Sequence, residues 1–125
     1  MQKEALRYLH NARGLLKQVP IEDDIYLDRK PVREALGTAY LAVLEAVNQG
    51  LLKRGVQERD LPRSVDGYRL ALHKHLAIHD GKLLREFNSL YDTLHIAGYY
   101  RGLLYDANIV KDALKAARAF IEKVG

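Results

Sequence analysis

The stretch that decides the fold runs from Asp28 to Gly55 and reads DRKPVREALGTAYLAVLEAVNQGLLKRG. Its apolar residues recur at intervals of three and four, which is the period of one face of an α-helix. They are Val32, Ala35, Leu36, Ala39, Val43, Ala46, Val47 and Leu51, and the stripe is widened by Tyr40, Leu44 and Leu52. Asp28 is the expected N-cap, Pro31 suits the first turn, and the helix stops at Gly55. A helix that is apolar over so much of its surface is predicted to be central.

Four further helices are predicted around this one. Their bounds are about Gln2 to Lys17, Ser64 or Asp66 to His79, the corner at Asp80–Gly81 to Gly102, and Asp106 or Asn108 to Val124. The segment 21–28 is interpreted as a polar loop, and no stretch indicates a convincing strand. Gly37 and Gly50 each cost the central helix roughly 1 kcal/mol, so a closely packed neighbour is expected at both. Because each apolar stripe must pack on another, we predict an all-α, up-and-down bundle of four to five helices forming a single domain over residues 1–125.

The amino-acid composition limits the classes of protein to which this chain can belong. With 48% hydrophobic residues in 125 positions, the chain can build one sizeable core, and the absence of cysteine excludes disulfides and thiolate chemistry. The N-terminal residues lack the apolar run of a signal peptide, and no run reaches transmembrane length. We therefore expect a cytoplasmic protein without membrane association. The net charge of +4 is spread among alternating acids and bases, which indicates solvated helix faces more than a nucleic-acid surface.

The second unusual stretch is LHIAGYYRG at residues 94–102, which sets two tyrosines and an arginine between two glycines. Asp92, His95 and Tyr99 follow one another at helical spacing and should share a face. An aspartate one turn before a histidine can orient it, and tyrosine suits a site that is apolar on one side and wet on the other. The candidate binding residues are Tyr40, Asp92, His95, Tyr99, Tyr100 and Arg101. The alternative is an ordinary polar flank of the helix.

Signals for catalysis or metal binding are weak. His75 and His79 lie one turn apart, as two metal ligands would, but no third ligand lies in the right local frame, which favours core-edge histidines. The acids of segment 21–28 lack the ligand spacing of a calcium loop. No phosphate loop, serine elbow or paired-carboxylate motif is present. We predict no catalytic residue, no metal and no cofactor.

The order of helices, with GTAYLAVL at 37–44 and LHIAGYYRG at 94–102, resembles the HEPN superfamily of small helical bundles and an uncharacterised bacterial domain family of that group. For HEPN ribonucleases the resemblance implies an arginine followed by four to six residues and then a histidine, with dimerisation bringing two such motifs together. Arg69 and His75 meet this spacing, although Leu70 replaces the usual polar residue and the pair falls on the third helix. On a regular helix this offset also places the two side chains far apart.

Three hypotheses of function follow. The first is a non-catalytic interaction module that forms a homodimer or binds a protein partner through the tyrosine-rich end of the fourth helix. The alternative is a HEPN-like protein that binds or cleaves RNA. The third is a small-ligand pocket lined by Tyr40, Tyr91 and His95, since helical bundles build such sites between facing helices.

Overall fold

The computed structural model describes residues 2–76 and 81–125. The five α-helices of this part are α1 (Lys3–Lys17), α2 (Arg29–Lys53), α3 (Val65–Ala71), α4 (Lys82–Leu90) and α5 (Ala107–Val124). Helices α3 and α4 continue as π-helical segments, Leu72–Leu76 and Tyr91–Tyr100, and a 3₁₀ turn spans Glu58–Asp60. The predicted all-α bundle is confirmed. The helix end predicted at His79 and the corner residue Asp80 lie outside the described residues.

Helix α2 is the centre of the bundle, as its broad apolar stripe predicts. It packs against α1, α5 and the segment Tyr91–Tyr100. The Asp28 side chain accepts a hydrogen bond from the Lys30 amide at 3.2 Å, which confirms the predicted N-cap. A Cβ atom added to Gly37 would lie 2.7 Å from Tyr99 Cδ1, and one added to Gly50 would lie 2.8 Å from Val124 Cγ1. The close packing expected at these two glycines is therefore confirmed.

The connection between α1 and α2 contains a small hairpin, where a loop was predicted. Strands β1 (Ile21–Glu22) and β2 (Ile25–Tyr26) pair antiparallel. The two residues between them, Asp23 and Asp24, have φ angles of 51° and 64°. Positive φ at both central positions is the requirement of a type I′ turn, and aspartate adopts it more readily than most residues. The prediction was wrong here because the two aspartates also suit a solvated loop.

The hairpin is fastened to the start of α5. The Tyr26 amide donates to the Tyr105 carbonyl at 2.8 Å, and the Ala107 amide donates to the Asp24 carbonyl at 2.7 Å. The guanidinium of Arg29 lies over the Tyr105 ring, 4.1 Å from its centroid. The connection 101–106 is thus held at the end of the bundle by backbone hydrogen bonds and a cation–π contact.

The starts of α3 and α5 follow the predicted capping residues. Of the competing candidates, Ser64 accepts from the Gly67 amide at 3.0 Å and Asp106 accepts from the amides of Asn108 and Ile109. The core is mainly aliphatic and is completed by Phe87 and Phe120. Within residues 2–76 and 81–125, no helix combines the length and apolar composition needed to cross a bilayer.

Candidate functional site

The segment Tyr91–Tyr100 continues α4 as a π-helix, whose characteristic hydrogen bond joins an amide to the carbonyl five residues earlier. Its last turn shows the pattern, since the Arg101 amide donates to the Ile96 carbonyl at 2.9 Å. A π-helix of ten residues is rare, and π-helical turns often occur at functional sites. A Cβ on Gly98 would lie 2.7 Å from Leu36 Cδ1, so the segment approaches α2 more closely than any larger residue would permit.

Four aromatic rings, Tyr40, Tyr91, His95 and Tyr99, form what we call the aromatic array. Along the π-helical segment the His95 ring centroid lies 5.4 Å from that of Tyr91 and 6.1 Å from that of Tyr99. Tyr40 joins the array from α2, with its centroid 4.9 Å from His95 and 5.8 Å from Tyr91. These separations lie in the range in which aromatic pairs attract each other beyond simple burial.

A groove of about 450 Å³ opens beside the array, and we call it the tyrosine groove. It is lined by Glu34, Gly37, Thr38, Tyr40, Leu41, His95 and Tyr99. Tyr40 is buried, whereas Leu41 from α2 and Tyr99 from the π-helical segment are 53% and 46% exposed. The groove therefore has an aromatic lining and two exposed apolar side chains, one from each helix.

Burial raises the pKa of Tyr40 to about 12, with further contributions from the nearby Tyr91 and Tyr68. The Tyr40 hydroxyl consequently stays protonated at neutral pH. It can donate and accept hydrogen bonds, but it is no proton-transfer group near pH 7. This property suits recognition better than acid–base catalysis.

Arg69 extends the array on the side away from the groove. Its guanidinium lies 5.1 Å from the Tyr91 ring centroid, and it is held there by Asn88 at 2.7 Å and Asp66 at 3.0 Å. His75 lines a separate cavity beside Arg59 and Asp60. The two residues of the HEPN-type spacing therefore have different surroundings, and the described residues do not bring them together within one chain.

Arg33 closes the end of the π-helical segment. It donates to the Tyr99 carbonyl at 2.9 Å through Nε and to the Tyr100 carbonyl at 2.7 Å through Nη2. Its side chain crosses Gly102, where φ is +63° and a Cβ would lie 3.0 Å from Arg33 Cδ. A cation at this position satisfies carbonyls that the helix leaves unpaired and favours the negative end of its dipole. The position of Tyr99 in the groove thus depends on a residue of α2.

The predicted site residues divide into two groups. Tyr40, His95 and Tyr99 lie together in the groove. Asp92 is exposed and, in the part of the chain that the structure describes, makes no hydrogen bond to His95. Tyr100 is 69% exposed and, like Arg101, does not line the groove. The expected orientation of His95 by Asp92 is therefore absent, and His95 is positioned by rings instead.

Sequence reasoning missed Arg33 and Leu41 as contributors to the site. Leu41 carried a usable signal, because it is a large apolar residue outside the buried stripe of α2. No sequence pattern indicated the role of Arg33, since its contacts with the π-helical segment depend on tertiary structure. No group of three or more metal-ligating side chains occurs within residues 2–76 and 81–125. The partner proposed for His75, His79, lies outside them.

Comparisons with known proteins agree with the fold. A solved structure of a protein of unknown function from Dyadobacter fermentans is similar, with a TM-score of 0.79 and 35% sequence identity over 98% of this chain and 92% of that one. No curated protein is similar enough to match. The predicted resemblance to an uncharacterised domain family is confirmed, because one such family matches this chain over residues 1–125. The chain belongs to that family, which is described as Domain of unknown function (DUF5618).

Proposed function

We propose that this protein is a non-catalytic interaction module that self-associates through the tyrosine groove. The observation that carries the proposal is the pair of exposed apolar side chains, Leu41 and Tyr99, beside a groove with a buried aromatic residue, Tyr40, in its lining. Aromatic residues are enriched at protein interfaces, and tyrosine is enriched among the residues that dominate binding energy there. A tyrosine or leucine from a second copy would fit this groove.

The charges around the groove favour a second copy over an unrelated partner. Glu34 lines the groove, and Arg101 directly follows the C-terminal end of the π-helical segment. Neither side chain forms an ion pair in the described chain. In a two-fold dimer each contact occurs twice, so Glu34 of one copy can meet Arg101 of the other on both sides of the axis. A surface that carries one unpaired acid and one unpaired base is thus self-complementary.

The test is the mass of the protein in solution, measured by analytical ultracentrifugation over a wide range of concentration. We expect a dimer for the natural chain and a monomer for Leu41→Glu, because the new carboxylate would be buried at the interface. Leu70→Glu is the matched control, since Leu70 is 70% exposed on α3 and does not line the groove. It should leave the dimer intact. A natural chain that stays monomeric throughout would contradict self-association.

A charge-reversal pair sharpens this test. Glu34→Arg and Arg101→Glu should each weaken the dimer by placing like charges together, and the double variant should restore it. Rescue by the double variant supports the two-fold arrangement. Equal weakening in all three variants would exclude the proposed pairing of Glu34 with Arg101.

A second candidate function, RNA binding by a HEPN-like bundle, is favoured by one basic cavity. This cavity has a volume of about 560 Å³ and includes Arg54, Arg59, Lys74 and His75 in its lining. In the described chain the side chains of Arg59 and Lys74 make no hydrogen bond or ion pair, so both are available to phosphates. The HEPN-like assignment and the cytoplasmic location stay predictions that accompany this candidate.

Fluorescence anisotropy with a mixed-sequence RNA oligonucleotide tests this function. Affinity should fall steeply with added salt, because phosphate contacts release counterions. The double variant Arg59→Gln and Lys74→Gln should reduce both the affinity and the salt dependence. Lys115→Gln on the exposed side of α5 should change neither. Absence of binding at low salt would contradict this candidate without affecting the dimer.

A further inference from the structure

A second cavity lies where the end of α1, the hairpin and α5 meet, and it shares no lining residue with the tyrosine groove. Its volume is about 320 Å³, near the lower limit of small-molecule sites. It is lined by Arg13, Leu16, Lys17, Val19, Ile21, Tyr26, Lys111 and Leu114. The buried Leu16, Val19 and Leu114 give it an apolar interior, and Ile21 remains 46% exposed at its edge. This size and composition suit a ligand with a body of one or two rings.

Three cations surround this apolar interior. Arg13, Lys17 and Lys111 all line the cavity, and its lining includes no acid from the described part of the chain. Within residues 2–76 and 81–125 none of the three forms an ion pair or a side-chain hydrogen bond. The C-terminal end of α1 contributes about half a negative charge, which the three full positive charges outweigh. The cavity therefore carries a positive potential that its own residues leave uncompensated.

Tyr26 is the neutral residue of the lining that carries a polar group. Its side chain is only 4% exposed, and in the described chain its hydroxyl makes no hydrogen bond. Burial raises the pKa of Tyr26, so the hydroxyl remains a donor at neutral pH. The backbone of Tyr26 is fixed by the bond from its amide to the Tyr105 carbonyl at 2.8 Å. Among the described residues, the fully buried side-chain polar atom without a partner is Gln2 Oε1, so solvent reaches the Tyr26 hydroxyl, and a ligand can accept its hydrogen bond in place of water.

We propose that this cavity binds a small amphiphilic carboxylate. The apolar body of the ligand lies against Leu16, Val19 and Leu114. Its carboxylate pairs with Arg13, Lys17 and Lys111 and accepts a hydrogen bond from the Tyr26 hydroxyl. An inorganic anion would leave the apolar walls unused, and a neutral hydrocarbon would leave the cations and the hydroxyl unused. The proposal does not depend on dimer formation or on RNA binding.

The experiment is an NMR titration of the full chain with 2-naphthoate and, separately, with 2-naphthamide, which has nearly the same shape without the charge. We expect saturable shifts at Val19, Tyr26 and Leu114 with the carboxylate and at least about tenfold weaker binding of the amide. This ratio corresponds to roughly 1.4 kcal/mol. Equal affinity for the two compounds, or the absence of saturable shifts at these residues, would overturn the proposal.

Variants distinguish ligand binding by the three cations of the cavity from nonspecific attraction to the positive charge of the protein. The double variant Arg13→Gln and Lys111→Gln should weaken naphthoate binding roughly tenfold and leave naphthamide binding unchanged. Tyr26→Phe keeps the ring and should weaken naphthoate binding by about two- to tenfold through loss of the hydroxyl donor. Lys115→Gln removes one charge from the exposed surface of α5 and should have no effect. An equal loss in Lys115→Gln and in a Lys111→Gln single variant would show nonspecific attraction and overturn the assignment.

Discussion

The rings of Tyr40 and His95 lie 4.9 Å apart between centroids and join α2 to the π-helical segment. Tyr40 also contacts Tyr91 at 5.8 Å, so one buried tyrosine holds two turns of the segment. The tyrosine groove is therefore bounded by a rigid inner side and by the more exposed Leu41 and Tyr99. Changes that reach the inner side should alter stability, and changes at the exposed side should alter binding.

The raised pKa of the Tyr40 hydroxyl predicts that the folded protein loses stability at alkaline pH. Its pKa rises from 10.0 to about 12 on folding, because burial disfavours the tyrosinate. As the pH rises, the hydroxyl loses its proton in the unfolded chain before it does so in the folded protein. The contribution of protonated Tyr40 to the free energy of unfolding is therefore fully present below pH 10 and is lost as the pH rises toward 12. The loss should amount to roughly 2–3 kcal/mol of unfolding free energy.

Denaturant titrations of the natural chain and Tyr40→Phe as a function of pH measure this effect. Tyr26 and Tyr68 also have raised pKa values through burial, and most of their contribution is common to both proteins. The difference between the two curves therefore isolates Tyr40. Parallel curves across the range above pH 10 would contradict a buried, protonated Tyr40.

Gly98→Ala should destabilise the fold. The added Cβ would lie 3.0 Å from Leu36 Cβ and 3.0 Å from the Thr93 carbonyl oxygen, and neither atom can move freely. We expect a net loss of about 1–2 kcal/mol in urea unfolding, because overpacking exceeds the gain in helix propensity. Gly14→Ala is the control, since nothing lies within 4 Å of its Cβ position in α1. That variant should gain up to about 1 kcal/mol.

Gly37→Ala should change the groove with little effect on stability. Its Cβ would lie 2.7 Å from Tyr99 Cδ1, but the Tyr99 side chain is 46% exposed and can rotate outward. The helix propensity gained by alanine offsets the lost contact to within about 1 kcal/mol. NMR should therefore show altered ring contacts between Tyr99 and His95 in a normally folded protein. Large destabilisation would mean that Tyr99 is fixed more firmly than its exposure implies.

Arg33→Gln should loosen the C-terminal end of the π-helical segment. The variant loses charged hydrogen bonds to the carbonyls of Tyr99 and Tyr100, which together should cost about 1–3 kcal/mol. Amide hydrogen exchange at Arg101 and Leu103 should become faster, because those amides bond within the same turn. Lys115→Gln removes an equal charge from an exposed side chain of α5 without a described contact, and exchange should not change. Equal acceleration in both variants would indicate a general charge effect.

The central helix and its ends could be predicted from the sequence because they depend on local chemistry. The period of the apolar stripe, the Asp28 cap and the stop at Gly55 each require only neighbouring residues. The hairpin could not be predicted, because Asp23 and Asp24 suit a solvated loop as well as a type I′ turn. Arg33 acquires its role from the segment packed against it, which no local pattern indicates, whereas Leu41 could have been noticed as a large apolar residue outside the buried stripe of α2.

The pairing of Asp92 with His95 failed for a geometric reason. Residues three apart are neighbours on an α-helix, and the prediction assumed that geometry. Bonds to the fifth preceding residue place more residues in each turn, so side chains three apart diverge. Tyr91, His95 and Tyr99, which are four apart, remain close enough for ring contacts. The sequence carries the right residues, but the pattern does not reveal the helix type.

The wider turns of segment Tyr91–Tyr100 also make its length as important as its composition. Deleting one residue there would rotate everything downstream by roughly a quarter of a turn around the helix axis, since each turn of a π-helix holds more than four residues. Gly98 would turn away from Leu36, and Tyr99 would leave the groove, even with every remaining side chain unchanged. A relative with a one-residue gap in this segment would therefore present a different surface, whatever its overall sequence identity.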